Sequence, residues 1–157
     1  MAEVADQVIA QLRKSRKYRD LCDETLARVA QWAAVRNASA KAATKAAKRK
    51  LHQVYGAYVG QVDVNQVLAL VDQVDRNPPK PICEQILRTH VSTAERLDDL
   101  GVVFEAVWDV TGQPKRVMDL ACGLNPFALP WMGHIEEYFA CDIDIRLASC
   151  IGKFFEN

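Results

Sequence analysis

The residues best suited to chemistry lie in the last third of the chain. They are Val117-Met118-Asp119-Leu120-Ala121-Cys122-Gly123-Leu124-Asn125-Pro126, followed by Phe139-Ala140-Cys141-Asp142-Ile143-Asp144. The first block closes an apolar run with an acid and a turn of small residues, which lets the main chain approach a bound molecule closely. The second closes another apolar run with an acid about twenty residues on, placed to accept hydrogen bonds from ribose hydroxyls. The loop is not G-x-G-x-x-G, which argues against a pyrophosphate-bearing dinucleotide. Each residue also has a plainer role open to it. Asp119 can cap the turn, Gly123 can serve its backbone conformation alone, and Asp142 can be an ordinary strand-end acid. The joint spacing and strand context favour the ligand reading.

Several elements must position these residues. Arg116-Val117-Met118-Asp119-Leu120 and Glu137-Tyr138-Phe139-Ala140-Cys141 are short apolar runs between turn signals. A helix-sized connection separates them, so they are expected as buried parallel strands of a βαβ unit. Residues 144–157 read as a further helix. Ahead of the strands, His90-Val91-Ser92-Thr93-Ala94-Glu95 has the form of a capping box, Ser92 to Glu95. The helix it opens shows Leu97, Leu100, Phe104, Val107 and Trp108 on one face and ends near Thr111-Gly112, before Pro114. A short helix is expected around Ile82 to Arg88. Asn77-Pro78-Pro79-Lys80-Pro81 cannot continue a helix and marks the best domain boundary.

The first ~75 residues read as helix after helix. Val4, Val8, Ile9 and Leu12 form one apolar stripe, and Cys22, Leu26, Val29, Trp32 and Ala33 a second. A third helix begins near Ser39, with Leu51, Val54, Tyr55 and Tyr58 on its face, and a fourth carries Val64, Val67, Leu68 and Val71. The expected organisation is a helical domain over 1–76, a linker and short helix over 77–91, and an α/β region over 92–157.

Charge follows the same division. The 157 residues carry 20 basic and 20 acidic side chains, but residues 1–56 hold 12 Lys and Arg against 5 Asp and Glu, a net of +7. The remainder is −7. Such asymmetry points to a basic docking surface joined to something that binds a different ligand, or more plainly to a solvated Lys-rich face. Half of the residues are hydrophobic and a quarter charged, a globular composition. No apolar run approaches the ~18 residues of a membrane span, and no signal-peptide core is visible, so a cytoplasmic protein is expected. The five cysteines, Cys22, Cys83, Cys122, Cys141 and Cys150, are odd in number and widely spaced. Without a C-x-x-C, and with no histidine at ligand spacing, they are expected as reduced, mostly buried thiols with no metal.

The D-x-A-x-G loop is similar to the first motif of methyltransferases that bind S-adenosylmethionine. Over nearly its whole length the sequence resembles the aminoglycoside-resistance 16S rRNA (guanine-N7) methyltransferases. The resemblance rests on Ser15-Arg16-Lys17-Tyr18-Arg19-Asp20-Leu21-Cys22, Arg49-Lys50-Leu51-His52 with Gly56-Ala57-Tyr58-Val59, His90 to Leu97, and Asp119 to Pro126 with Cys141-Asp142-Ile143. Of these, Ala121-Cys122-Gly123-Leu124-Asn125-Pro126 is the most specific. Where family members often carry Lys after the Ser-Thr pair, this chain has Ala94.

The resemblance implies S-adenosylmethionine as cofactor, with Thr93 and Arg96 near its methionine end. A guanidinium suits that carboxylate because it donates two parallel hydrogen bonds; the plainer role for Arg96 is an ion pair with Asp98 or Asp99. Asp119 is implied near the amino group, Ala121 and Gly123 beneath the cofactor, Asp142 at the ribose and Ile143 on the adenine. The same resemblance implies that the helical domain docks on 16S rRNA in the 30S subunit. Lys17, Arg49 and Lys50 fall in matching blocks. Lys41, Lys45 and Lys48 form a stripe whose first two members have a solvated face as their plainer role. Such cations neutralise phosphates without reading sequence.

The expected fold is therefore α/β: a helical N-terminal domain, then the first part of a class I (Rossmann-like) methyltransferase fold, truncated after about two parallel strands. The strands and loop that would receive a flipped guanine are not recognisable. Methyl transfer to N7 depends chiefly on positioning, so this chain is expected to be inactive alone and to self-associate through its incomplete sheet. The competing expectations are a non-catalytic 30S-binding helical module with vestigial cofactor residues, and a small-molecule methyltransferase.

Overall fold

The computed structural model describes residues 2–56, 62–74 and 80–156. The chain forms two compact units, one of residues 1–60 with 143–145, the other of residues 61–142 with 146–157.

The first unit is built on α1 (Ala2–Arg13), α2 (Asp23–Arg36) and α3 (Ala40–Tyr55). The expected start near Ser39 is explained by its side chain, which accepts the Ala42 N–H as an N-cap. Val8 and Leu12 of α1, Leu26 and Ala30 of α2, and Ala43 and Leu51 of α3 are fully or almost fully buried together. Alanines on the facing stripes of α2 and α3 let the helices pack closely, while Lys and Arg occupy the outer faces. Residues 143–145, which lead into α8, join this unit through main-chain bonds. Leu21 bridges to Asp144 in antiparallel fashion, Cys22 N–H donates to the Ile143 carbonyl at 2.8 Å, and Ile145 N–H donates to Asp20 at 2.9 Å. Tyr55 O–H donates to Asp144 Oδ2 at 2.9 Å.

The second unit carries α4 (Val64–Val71), α5 (Lys80–Leu87), the single turn α6 (Val91–Ala94), a 3-10 turn at 97–99 and α7 (Leu100–Thr111). Strands β1 (Arg116–Leu120) and β2 (Glu137–Cys141) follow, joined through a 3-10 helix at 125–131, and α8 (Ile145–Glu156) ends the chain. Both strands fall where their apolar runs predict them. They pair in parallel, Arg116 with Glu137 through Leu120 with Cys141. The connection contains Pro126 and Pro130, and it winds as a 3-10 helix, not the α-helix expected of a βαβ crossover. Its Phe127, fully buried, meets Phe154 of α8 edge-on at 4.8 Å between ring centroids. Leu147, Cys150, Ile151 and Phe154 give α8 its buried stripe.

The helix expected to run unbroken from Ser92 to Thr111 is interrupted at Glu95-Arg96. His90, not Ser92, is its N-cap, its ring nitrogen accepting the Ser92 N–H. Ser92 lies inside the first turn, so the expected capping box does not form. The boundary expected at residues 77–81 falls mostly on residues outside those described, as do Ala57, Tyr58 and Val59 of the second matching block.

Candidate functional site

Parallel pairing brings the carboxyl ends of β1 and β2 side by side, and the two blocks singled out above meet there. The turn after β1 bends through two left-handed residues, Ala121 at φ 55° and Gly123 at φ 53°. A non-glycine residue in this conformation stores about 1–2 kcal/mol, the kind of strain that clusters at binding loops. Between them, Cys122 N–H donates to the Cys141 carbonyl at 3.0 Å, extending the strand pairing by one step. Gly123 N–H donates to Asp142 Oδ2 at 2.9 Å. The acid after β2 therefore holds the turn after β1. Around Gly123 no heavy atom stands within 4 Å of where a Cβ would project. That side of the loop is open for close approach.

Asp119 does not cap the turn. Its Oδ2 accepts from the Tyr138 hydroxyl at 2.6 Å and from Asn125 Nδ2 at 2.8 Å. Burial, reinforced by the hydrogen bond to Asp119, pushes the Tyr138 phenol well above its ordinary range, so it stays a donor. The Cys122 thiol is pushed up to about 12, first by burial and then by the nearby charges of Asp142 and Asp119. It is an inert core group, not a nucleophile.

Thr93 and Arg96 stand on the interrupted turn. Thr93 is buried, and its hydroxyl is spent on the Leu87 and His90 carbonyls. Arg96 is exposed; its Nε donates to the Ser92 carbonyl at 2.7 Å, and no acid engages its remaining nitrogens among the described residues. Asp98 instead lies 3.9 Å from Arg88. The guanidinium edge is thus available to an anion. No hydrogen bond links Thr93 or Arg96 to the 119–125 loop among the described residues. Ile143 belongs to the first unit, where it is half-buried against the helical core.

Basic residues gather on the first unit. Lys17 Nζ is 3.1 Å from His52 Nδ1, which ties the loop after α1 to the end of α3. Arg49 and Lys50 are exposed on α3. The Lys50 ammonium lies 6.0 Å from the centre of the Trp32 ring and the Arg36 guanidinium 5.2 Å from it. Trp32 and Arg36 are additions to the expected set; an aromatic with Arg28 and Arg36 each four residues away on neighbouring turns was their only trace in the sequence. Among the described residues, no group of His, Cys, Asp and Glu is arranged to hold a metal ion, and no helix is long and apolar enough to cross a membrane.

Comparison with known proteins agrees with this layout. The family model of ribosomal RNA methyltransferases (FmrO) matches residues 14–156. The chain belongs to that family. Among FmrO-family relatives, it is 37% identical over 151 residues to the 16S rRNA (guanine(1405)-N(7))-methyltransferase of Micromonospora echinospora, covering 90% of this chain and 55% of that protein. It is 41% identical over 138 residues to the enzyme of the same description from Micromonospora olivasterospora, covering 86% and 47%. The chain thus spans about half the length of the curated relatives it matches. Its fold is similar to that of the 16S rRNA methylase RmtB, with a TM-score of 0.79 and 31% identity over 97% of this chain and 59% of that one. The 16S rRNA methyltransferase RmtF, solved in complex with S-adenosyl-L-homocysteine, matches at a TM-score of 0.75 and 30% identity, covering 99% and 59%. As an FmrO-family chain it is a mixed helical protein with a two-stranded parallel sheet, similar to rRNA methylase structures.

Proposed function

We propose that this chain supplies the ribosome-docking region and the cofactor-binding half of an S-adenosylmethionine-dependent 16S rRNA (guanine-N7) methyltransferase of the aminoglycoside-resistance type. The observation that carries the reading is the loop after β1: a positive-φ Gly123, open on its outer side, whose amide is held by Asp142. The finer fold reading is the first part of a class I (Rossmann-like) methyltransferase sheet, with the cofactor region over 92–157 and a helical docking domain that was expected over 1–76 but forms a compact unit over 1–60, α4 belonging to the second unit.

These residues fit S-adenosylmethionine. Asp142 offers acceptors to ribose hydroxyls, and Ile143, next in the chain, is assigned to the adenine. Ala121 and Gly123 allow close approach of the backbone, and Asp119 offers a carboxylate to the amino group. Arg96 offers a free guanidinium edge to the carboxylate, while Thr93 holds the turn that carries it. When bound, the cofactor supplies an electrophilic methyl group. This chain's contribution is to bind and orient, which suits N7 of guanine, a nitrogen with its lone pair already available. Lys17, Arg49 and Lys50 are assigned to phosphates of 16S rRNA in the 30S subunit.

Calorimetry with S-adenosyl-L-homocysteine tests the cofactor half. The 157-residue chain is expected to take up one equivalent, and Asp142→Asn to weaken binding about tenfold or more, the scale of a hydrogen bond to a charged acceptor. No heat with the unaltered chain, alongside salt-sensitive binding to 30S subunits, would favour a non-catalytic docking module instead.

A further inference from the structure

The carboxylate of Asp119 is held asymmetrically. Oδ2 accepts both available side-chain donors, Tyr138 O–H at 2.6 Å and Asn125 Nδ2 at 2.8 Å, while Oδ1 accepts none among the described residues. The two donors are themselves 3.4 Å apart, Asn125 Nδ2 to the phenolic oxygen. They come from different elements, Asn125 from the first position of the 3-10 helix and Tyr138 from β2. Two donors on one oxygen fix the torsion of a side chain that is otherwise free to turn. Tyr138 is well set for this work: its ring packs 5.6 Å from that of Phe155, and the phenol is half-buried. It pairs across the sheet with Val117, and so stands diagonal to Asp119 on the same face.

An ionised carboxylate with one oxygen committed and one open is a directed acceptor for a cation. Neutral donors on the committed oxygen leave its negative charge in place for a ligand, whereas an Arg or Lys partner would neutralise it. The loop beside it is the one assigned above to a nucleoside with an amino-acid tail. We infer that Tyr138 and Asn125 are positioning residues that hold Asp119 to receive the ligand's ammonium group, and that this set distinguishes amino-acid-bearing nucleosides from those without the amine. The inference rests on the cofactor reading of the preceding section.

The test compares two ligands, S-adenosyl-L-homocysteine and 5′-methylthioadenosine, which share the adenosine and sulfur but differ in the amino-acid tail. Binding of each is measured by calorimetry for the unaltered chain, Tyr138→Phe, Asn125→Ala and Asp142→Asn. Tyr138→Phe keeps the ring and its packing and removes only the hydroxyl; thermal melts establish that each variant folds. We expect Tyr138→Phe and Asn125→Ala each to weaken the homocysteine compound by about tenfold or more, the worth of one hydrogen bond to a charged group, and to leave 5′-methylthioadenosine within twofold. Asp142→Asn, acting at the ribose, weakens both ligands alike. Equal losses of both ligands in Tyr138→Phe would show that the network only stiffens the loop and would overturn the inference while leaving the cofactor reading intact. Unchanged affinity for both would overturn it too. Failure of the unaltered chain to bind either ligand would overturn the cofactor reading and this inference together.

Discussion

The two units finish their surfaces differently. In the first, the apolar stripes of α1, α2 and α3 are spent on one another, and the large hydrophobic side chains left exposed among its described residues are Val35, Val54 and Ile145. Its outer faces carry Lys and Arg. In the second, exposed apolar side chains gather on particular faces: Val102, Val103, Val107 and Val110 on α7, and Met118, Leu120 and Phe139 on one side of the sheet. Parallel sheets are ordinarily covered on both faces, so an open apolar face has unused capacity for burial. A helical unit whose apolar stripes are spent on one another is finished in water by charge; a sheet that keeps apolar side chains outside is finished by further packing. The difference teaches that core and surface are built from separate kinds of residue in the first unit, whereas apolar residues serve both in the second.

The largest effect expected from this contrast is on stability. Leu51 has no exposed surface and lies amid the three-helix core, so Leu51→Ala removes buried methyl groups and leaves a cavity. A loss of about 2–5 kcal/mol in urea unfolding is expected. Leu120→Ser on the open sheet face should change stability by less than about 0.5 kcal/mol. Equal losses at the two sites would erase the distinction drawn between the units.

Charge reversal comes next. Arg49→Glu with Lys50→Glu is expected to reduce 30S affinity by about tenfold to a hundredfold at moderate salt and to flatten the salt dependence, since two phosphate contacts are lost. Unfolding should move little, because both side chains are exposed. Filter binding across a salt series separates the outcomes. A change in stability without a change in salt slope would make these cations structural, contrary to the division proposed.

The elements could be read from the sequence, but not where the units divide: α4, expected in the helical front, belongs to the second unit. The helical front followed from apolar residues at three- and four-residue spacing, and both strands from short apolar runs bounded by turn signals. That Asp119, Gly123 and Asp142 meet at one end of the strand pair followed from spacing. Other features depend on contacts that no local pattern encodes. The break at Glu95-Arg96 was hidden because Leu97, Leu100 and Phe104 satisfy helical spacing whether or not the chain pauses; what decides it is the Arg96 and Thr93 side chains bonding main-chain carbonyls. The Tyr138–Asp119 bond required the strand register, and alternation alone sets faces but not which residues meet across them. Trp32 read as part of an apolar stripe, and only the packing of α3 against α2 shows Lys50 beside its ring.

A smaller effect concerns the open sheet face. The chain is expected to sediment above monomer mass at tens of micromolar, with Phe139→Ser shifting it toward monomer. Phe139 is 52% exposed next to Met118 in the register, so the change removes apolar contact area at little cost to folding. A monomer at all concentrations would remove self-association from the picture and leave the face without a role in solution.

The subtlest test is alkaline pH, where the second unit should respond at lower pH than the first, whose Tyr18 phenol, raised by burial, starts from 10.0. Burial pushes the Cys122 thiol from its ordinary 9.0 to about 12 and the Cys83 thiol to about 11, and both lie in the second unit. A group whose folded value is raised contributes stability that is fully present below the unfolded value and is lost as pH climbs toward the folded one. Between pH 9 and about 12 the second unit should therefore weaken, because its unfolded chain releases these protons first. Cys122→Ala and Cys83→Ala should each blunt that loss, at some expense in packing at neutral pH. Hydrogen exchange at pH 8 and pH 10, corrected for intrinsic rates, reads the units separately. Protection should fall for amides of α5, α8 and the strands while α1 and α2 hold, and an even loss across both units would show that their stabilities are not divided as their surfaces are.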